Sequence, residues 1–219
     1  MFSKNSYKFL EALKENNNRE WFSSNKQWYE QSKADFEELV TQIIQALSSF
    51  EPSMKYLEPQ KCIFRIYRDT RFSLDKTPYK THFGAVFTPP GLGKSSGYYL
   101  HIDPKESFLT CGHYMLPSNQ LKAVRKGIYD DYEILRLILD NKQFKETIGD
   151  FYRDDDMLQR VPNGFDKEHS AAEYLKLKHF YVQRNFTEKE LFSEDFTKFA
   201  TDIYKMMKPL NDFLNELIR

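Results

Sequence analysis

The sequence predicts a single α+β domain over residues 1–219, with a central antiparallel sheet covered by helices. Three observations predict it. Apolar residues recur at helical spacing before residue 50 and after residue 118, but at a period of two between 61 and 115. The links between the candidate strands are short, which suits antiparallel pairing rather than crossovers. The 19 Phe and 14 Tyr supply one sizeable core, and no internal repeat or low-complexity tail competes with it.

The elements follow in order. Ser3 is placed to cap a first helix whose Ser6, Phe9, Leu10 and Leu13 share a face. Asn16-Asn17-Asn18 ends that helix, and Asn18 can cap the next segment, which opens Arg19-Glu20-Trp21-Phe22. Phe36, Leu39, Val40, Ile43, Ile44 and Leu47 keep the spacing of a long amphipathic helix that stops before Pro52, the first proline. From residue 61, Cys62, Phe64 and Ile66 alternate with Ile63, Arg65 and Tyr67, which reads as a strand. Further strands are expected at Thr81–Thr88, Tyr98–Asp103 and Ser107–Met115. The loop Pro89–Gly97 separates the first two, and the turn Asp103-Pro104-Lys105-Glu106 separates the last two. Helical spacing then returns. Ser118 is expected to cap Leu121, Val124, Arg125 and Ile128, and Asp130 or Asp131 to cap Ile134, Leu135, Ile138 and Leu139. Val161–Asp166 reads as a loop and His179–Arg184 as one more strand. Ser193 can cap a last helix carrying Phe196, Phe199, Ile203, Met206 and Met207, which Pro209 is expected to kink or restart.

Composition excludes several classes of function. Hydrophobic residues make up 40% and charged residues 29%, and no apolar run approaches the roughly 18–20 residues of a membrane span. The first residues lack the apolar centre of a secretion signal. Two cysteines, Cys62 and Cys111, exclude a disulfide framework and read as buried, inert thiols. A cytoplasmic protein is expected, with no membrane partner. Lys plus Arg (32) equals Asp plus Glu (32), against a molecule-wide footprint for nucleic acid.

That balance hides a basic centre. Residues 61–82 hold six basic groups against two acids, while residues 130–168 hold eleven acids against six bases. Guanidinium forks clustered beside an apolar strand suit carboxylate or phosphate, which they grip bidentately. Arg65, Arg68 and Arg71 are therefore candidates to hold an anion, with Lys76 and Lys80 supplementing them. Tyr79 and Tyr99 would wall the pocket, His82 would line it, and Asp69 and Asp75 would orient the arginines. If the site is catalytic, Asp69 or His101 is the first acid–base candidate. Two other readings stay open: contact with a nucleic-acid backbone, and an Arg–Asp network that only fixes a loop.

His82, His101 and His113 all fall in the strand region and could converge with Asp69 or Asp75. No pair has a metal spacing such as His-x-x-x-His, so no metal site is assigned. Gly91-Leu92-Gly93-Lys94-Ser95 fails as a phosphate loop: Thr88 stands where the first glycine is needed, and no helical pattern follows. It reads as a hairpin loop. The run Asp154-Asp155-Asp156 reads as a solvated loop.

Longer motifs carry a resemblance. They are Asn17-x-x-Glu20-Trp21-Phe22, then Arg65-x-x-Arg68-Asp69-Thr70-Arg71-Phe72-Ser73-x-Asp75-Lys76-Thr77-Pro78-Tyr79-Lys80-Thr81-His82, then Tyr98-Tyr99-Leu100-His101. Gly112-x-Tyr114, Leu121-x-x-x-Arg125-x-x-Ile128 and Pro162-x-Gly164-Phe165-Asp166 extend the match. The chain resembles a family known as domain of unknown function 2461, from about Phe9 to beyond Phe180. The resemblance implies a compact cytosolic single domain and supplies no reaction, cofactor or oligomeric state. Cys111-Gly112-His113 departs from it, since a second glycine is expected before Gly112.

Overall fold

The computed structural model describes residues 2–89, 91 and 96–218. Four strands, β1 (Phe83–Phe87), β2 (Ser96–Ile102), β3 (Ser107–His113) and β4 (Phe180–Phe186), form one antiparallel sheet in chain order. A tight turn sets the β2–β3 pairing. Asp103 Oδ1 accepts from Lys105 N at 2.7 Å, and Ser107 Oγ donates to the Asp103 carbonyl at 2.9 Å. Helices precede and follow the sheet, so the α+β class holds. The chain packs as two compact units, residues 1–90, 99–109 and 185–202 in one, and residues 91–98, 110–184 and 203–219 in the other.

The first unit begins with α1 (Lys4–Glu15), α2 (Arg19–Ser24) and α3 (Lys26–Leu47). Ser3 caps α1 by accepting from Ser6 N, and Asn18 caps α2 by accepting from Trp21 N. The Ser3 and Ser6 hydroxyls both donate to Asp35 Oδ2 on α3, at 2.5 and 2.6 Å. Burial alone would raise the Asp35 carboxyl; those hydroxyls outweigh it and hold it below the ordinary range. The apolar stripe of α3 is buried as its spacing requires, from Phe36 to Leu47. Phe83 of β1 anchors this layer. Phe36 stacks on it at 5.1 Å, and Phe2 and Phe9 meet it at 6.1 and 6.5 Å. Rings at these separations add about 0.5–1.5 kcal/mol per pair to plain burial.

The expected strand at residues 61–67 is corrected. Pro59, fixed in φ and lacking an N–H, opens a one-turn helix, α4 (Pro59–Cys62), so Cys62 is buried on a helix and not in a strand. The chain then extends alongside residues 78–85 through two isolated antiparallel bridges, Ile63 with Ala85 and Tyr67 with Tyr79. Phe64 N donates to the Gly84 carbonyl at 2.9 Å, Lys80 N to Ile66 at 2.8 Å, and Arg68 N to Pro78 at 2.9 Å. The two bridges are out of register with each other, so no continuous ladder forms between them, and on the tip side Pro78 has no N–H to return to Arg68. Residues 69–77 are the tip of this hairpin.

In the second unit, α5 (Ser118–Asp130) and α6 (Tyr132–Leu139) follow β3. Ser118 is the first helical residue of α5 and not its cap, which is Pro117 without a side-chain bond; Asp131 is the α6 cap residue, also without one. Gly127 of α5 has no room for a side chain, because a Cβ there would lie 2.3 Å from Leu217. Gly112 has φ +129°, and a Cβ would fall 2.2 Å from the Phe180 carbonyl oxygen of β4. Only glycine permits that approach. Short helices α7 (Lys142–Thr147) and α8 (Ala172–Leu175) lead to β4, and the expected loop at 161–166 is observed.

Beyond β4, in the first unit, comes α9 (Glu188–Leu191), closed by a Thr187–Glu190 capping box. Ser193 Oγ accepts from Asp195 N just before α10 (Phe196–Glu216) opens. Of the two outcomes expected at Pro209, the restart does not occur: α10 runs through it. Its second-unit part packs Tyr204 against Tyr98 at 5.1 Å and holds His113 through Asn215. Positions 90 and 92–95 of the expected hairpin loop lie outside the described residues.

Candidate functional site

The candidate site belongs to the first unit and begins with strand alternation. Leu100 and Ile102 of β2 point into the core and are fully buried. Tyr99, His101 and Asp103 occupy the alternate positions and so project from the opposite face. On the neighbouring strand, Phe83 and Ala85 face the core, which leaves His82 and Gly84 on the side of Tyr99 and His101. Gly84 gives Tyr99 its place: a Cβ there would stand 2.5 Å from the Tyr99 hydroxyl oxygen.

These residues touch. The Tyr99 hydroxyl and His101 Nδ1 are 2.8 Å apart. The His101 ring lies parallel to Phe108 of β3 at 4.5 Å, and the His82 ring is 4.2 Å from His101. Thr81 Oγ1 donates to Asp103 Oδ2 at 3.2 Å. One ring nitrogen each from His82 and His101 and one carboxylate oxygen of Asp103 all lie within 4.8 Å of one another. Lys80 closes the group, its ammonium 5.1 Å above the Phe64 ring, which meets Tyr99 edge-on at 6.0 Å.

The electrostatics are positive and partly dry. Burial, then the neighbouring Arg65 guanidinium, lowers the Lys80 ammonium from its ordinary range. Burial, reinforced by Lys80, pushes His82 down to about 4, with Asp103 opposing. Burial, with His82 and Lys80 adding to it, pushes His101 down to about 3. Both imidazoles are therefore neutral at pH 7, each able to donate at one nitrogen and accept at the other. Burial raises the Tyr99 phenol, which stays protonated.

The hairpin tip behaves differently. Arg71 grips Asp69 with two bonds, Nε to Oδ1 at 3.0 Å and Nη2 to Oδ2 at 2.7 Å. Arg68 donates to the Asp75 carboxylate and to the Thr77 hydroxyl and carbonyl. Lys76 Nζ donates to the Thr70 carbonyl at 2.9 Å. The backbone N–H of Thr77, then Arg68 and the Thr77 hydroxyl, hold Asp75 down at about 2. Asp69 is also lowered, chiefly by Arg71. These charges satisfy one another at the surface, while Phe72 and Leu74 at the tip are fully exposed.

Of the predicted site residues, the structure brings together Lys80, His82, Tyr99 and His101, with Arg65 exposed nearby. Tyr79 is not a pocket wall. It is buried, stacked on Phe22 at 4.0 Å. Arg68, Asp69, Arg71, Asp75 and Lys76 form the separate network of the tip. The histidines do not converge with Asp69 or Asp75; Asp103 takes that place. His113 stands apart, buried, with Nε2 3.0 Å from Asn215 Oδ1. Asp103, Thr81 and Gly84 were missed. Counting in twos from His101 along its strand reaches Asp103, which is the signal that could have found it. Asn17 was missed too: its amide accepts from Tyr79 N at 3.1 Å and donates to the Tyr79 carbonyl at 2.9 Å, taking the role of a partner strand.

No helix among the described residues is long and apolar enough to cross a membrane. The model of the family described as "Conserved hypothetical protein (DUF2461)" matches residues 5–213. No curated protein and no solved structure matches the chain.

Proposed function

The chain belongs to the DUF2461 family, and we propose that in this member the face built from Lys80, His82, Tyr99 and His101, with Arg65 beside it, binds a small anionic or phosphorylated ligand. One observation carries the reading. Lys80 is half-buried, its charge is disfavoured by burial and by Arg65, and among the described residues it has no acidic partner. A half-buried ammonium without a counter-charge is partly desolvated at a cost, and a bound anion offsets that cost. His82 and His101 add neutral hydrogen-bonding groups, and the aromatic rings of Phe64, Tyr99 and Phe108 lower the local dielectric. Asp103, the acid that faces His82 and His101, is already bonded by Thr81 and the backbone of Lys105.

The test is thermal unfolding with phosphate, sulfate and carboxylates at constant ionic strength, with a chelator present. A ligand at 100 times its dissociation constant adds about 2.7 kcal/mol. For a chain of this length that raises Tm by roughly 5–10 °C. The shift is expected to vanish in Lys80→Met and to survive in Arg71→Met, with both variants folded by circular dichroism. No shift with any anion, or an undiminished shift in Lys80→Met, overturns the reading.

A further inference from the structure

We propose that His82, His101 and Asp103 form a binding site for one divalent transition-metal ion. The inference goes beyond the anion reading and does not depend on it. Two imidazole nitrogens and one carboxylate oxygen form a mixed N/O donor set that suits Zn²⁺, Co²⁺, Mn²⁺ or Fe²⁺ rather than Mg²⁺ or Ca²⁺. Donors about 2.1 Å from a common ion stand roughly 3–3.5 Å apart. These three, all within 4.8 Å of one another, need to close by less than about 2 Å. His82 precedes β1 and Asp103 follows β2, so both ligands sit at strand ends, where a small adjustment breaks no ladder.

The supporting groups fit a ligand set. A coordinating imidazole needs its other nitrogen occupied by an orienting partner. The Tyr99 hydroxyl oxygen is 2.8 Å from His101 Nδ1 and can accept a hydrogen bond from its N–H, which leaves the Nε2 lone pair free. Phe108 fixes the plane of that ring. Each Asp103 oxygen has one partner, Thr81 Oγ1 at 3.2 Å or Lys105 N at 2.7 Å, and retains a lone pair. Gly84 allows Tyr99 to lie where this chain of contacts needs it.

A second trio among the described residues, Asp154, Asp156 and His179, shows what an unsuitable set looks like. His179 Nδ1 accepts from Met115 N at 3.0 Å, so the neutral ring carries its proton on Nε2, the nitrogen 3.6 Å from Asp156. Coordination there would have to displace that proton.

Lys80 stands beside His82, so a dication adds positive charge to positive charge. An oxyanion that bridges the ion and Lys80 relieves this repulsion, and coupling of that kind is reciprocal. The anion expected at this site is therefore one that strengthens the ion's binding.

The test is titration of the chelator-treated full chain with Co²⁺, read by its visible absorption, and with Zn²⁺ by calorimetry. One ion per chain is expected. Its binding should weaken at least tenfold in Asp103→Asn and in His101→Ala and be unchanged in His179→Ala; circular dichroism checks each fold. If His101→Ala unfolds, Asp103→Asn alone decides. No binding, equal binding in Asp103→Asn, or loss only in His179→Ala overturns the inference. A parallel titration with inorganic phosphate separates the two readings. Cobalt that binds without phosphate, while phosphate alone shifts nothing, keeps the metal site and removes the anion reading. A phosphate shift without cobalt binding does the reverse.

Discussion

Two neighbouring stretches of the chain both carry charged side chains, and the structure uses them in opposite ways. Residues 69–77 form an exposed tip where Asp69 binds Arg71 and Asp75 binds Arg68. Residues 80–103 contribute a half-buried face where Lys80, His82 and His101 meet beside Asp103, and among the described residues Lys80 has no acidic partner. Exposed pairs of the first kind contribute little, because water would solvate either charge as well. Charges of the second kind are costly where they stand and favour binding an ionic ligand or shedding a proton. Density of charge along a sequence therefore says less about function than the absence of a counter-charge in a dry place.

The sharpest way to break that contrast is to disturb the dry face without touching a charge. Gly84→Ala places a Cβ where the Tyr99 hydroxyl now lies, at 2.5 Å. Tyr99 cannot swing away freely, since Phe64 and Phe108 flank it at 6.0 and 6.1 Å. Overpacking of this kind costs about 1–3 kcal/mol. Denaturant unfolding should show that loss, and cobalt and phosphate binding should weaken as Tyr99 leaves His101. A variant as stable as the parent with unchanged binding would show that Tyr99 does not position His101.

A smaller effect is expected from Asn17→Ala. The Asn17 amide makes both main-chain bonds of Tyr79, the residue that joins the hairpin tip to the dry face. Two ordinary hydrogen bonds contribute about 1–2 kcal/mol together, and the loss should appear in the same unfolding measurement. The amides of residues 67–80 should also exchange faster with solvent than those of β2. Uniform exchange across both segments would mean that the hairpin does not depend on this clamp.

Much of this was legible, and what was not has physical reasons. The candidate strands at 81–88, 98–103 and 107–115 match β1, β2 and β3, and in β2 the buried Leu100 and Ile102 alternate with Tyr99 and His101. The same alternation at 61–67 is real, yet those residues make two isolated bridges out of register with each other, Ile63 with Ala85 and Tyr67 with Tyr79, after the helical turn that Pro59 opens. The arginines were visible as charge, but their pairing depends on turns in which Asp69 and Asp75 each accept the N–H of the residue two further on, a geometry set by the closed hairpin. Convergence of His82 with His101 was open to a sequence reading. Their acid was sought at Asp69 or Asp75, nearby in sequence, whereas pairing of β1 with β2 supplies Asp103. A ligand spacing confined to one helix or loop cannot reveal a set assembled across two strands.

The smallest effect should come from the tip, and its pH dependence has a definite sign. The Asp75 carboxyl stands at about 2 in the folded chain, held down first by the Thr77 N–H and then by Arg68, against about 3.9 for a free aspartate. Its folded value is depressed, so its contribution is fully present above pH 4 and lost as pH falls from about 4 to 2. Asp75→Asn keeps an oxygen for the Thr77 N–H and removes the charge facing Arg68. The parent should therefore have the higher Tm at pH 5, and the difference should shrink steadily as pH falls and vanish only below about pH 2. Phosphate binding at neutral pH should be the same in both, because Arg68 and Asp75 serve only the tip. A Tm difference that does not change with pH would mean that the Asp75–Arg68 contact does not persist in solution, and a loss of phosphate binding would join the two regions that the structure keeps apart.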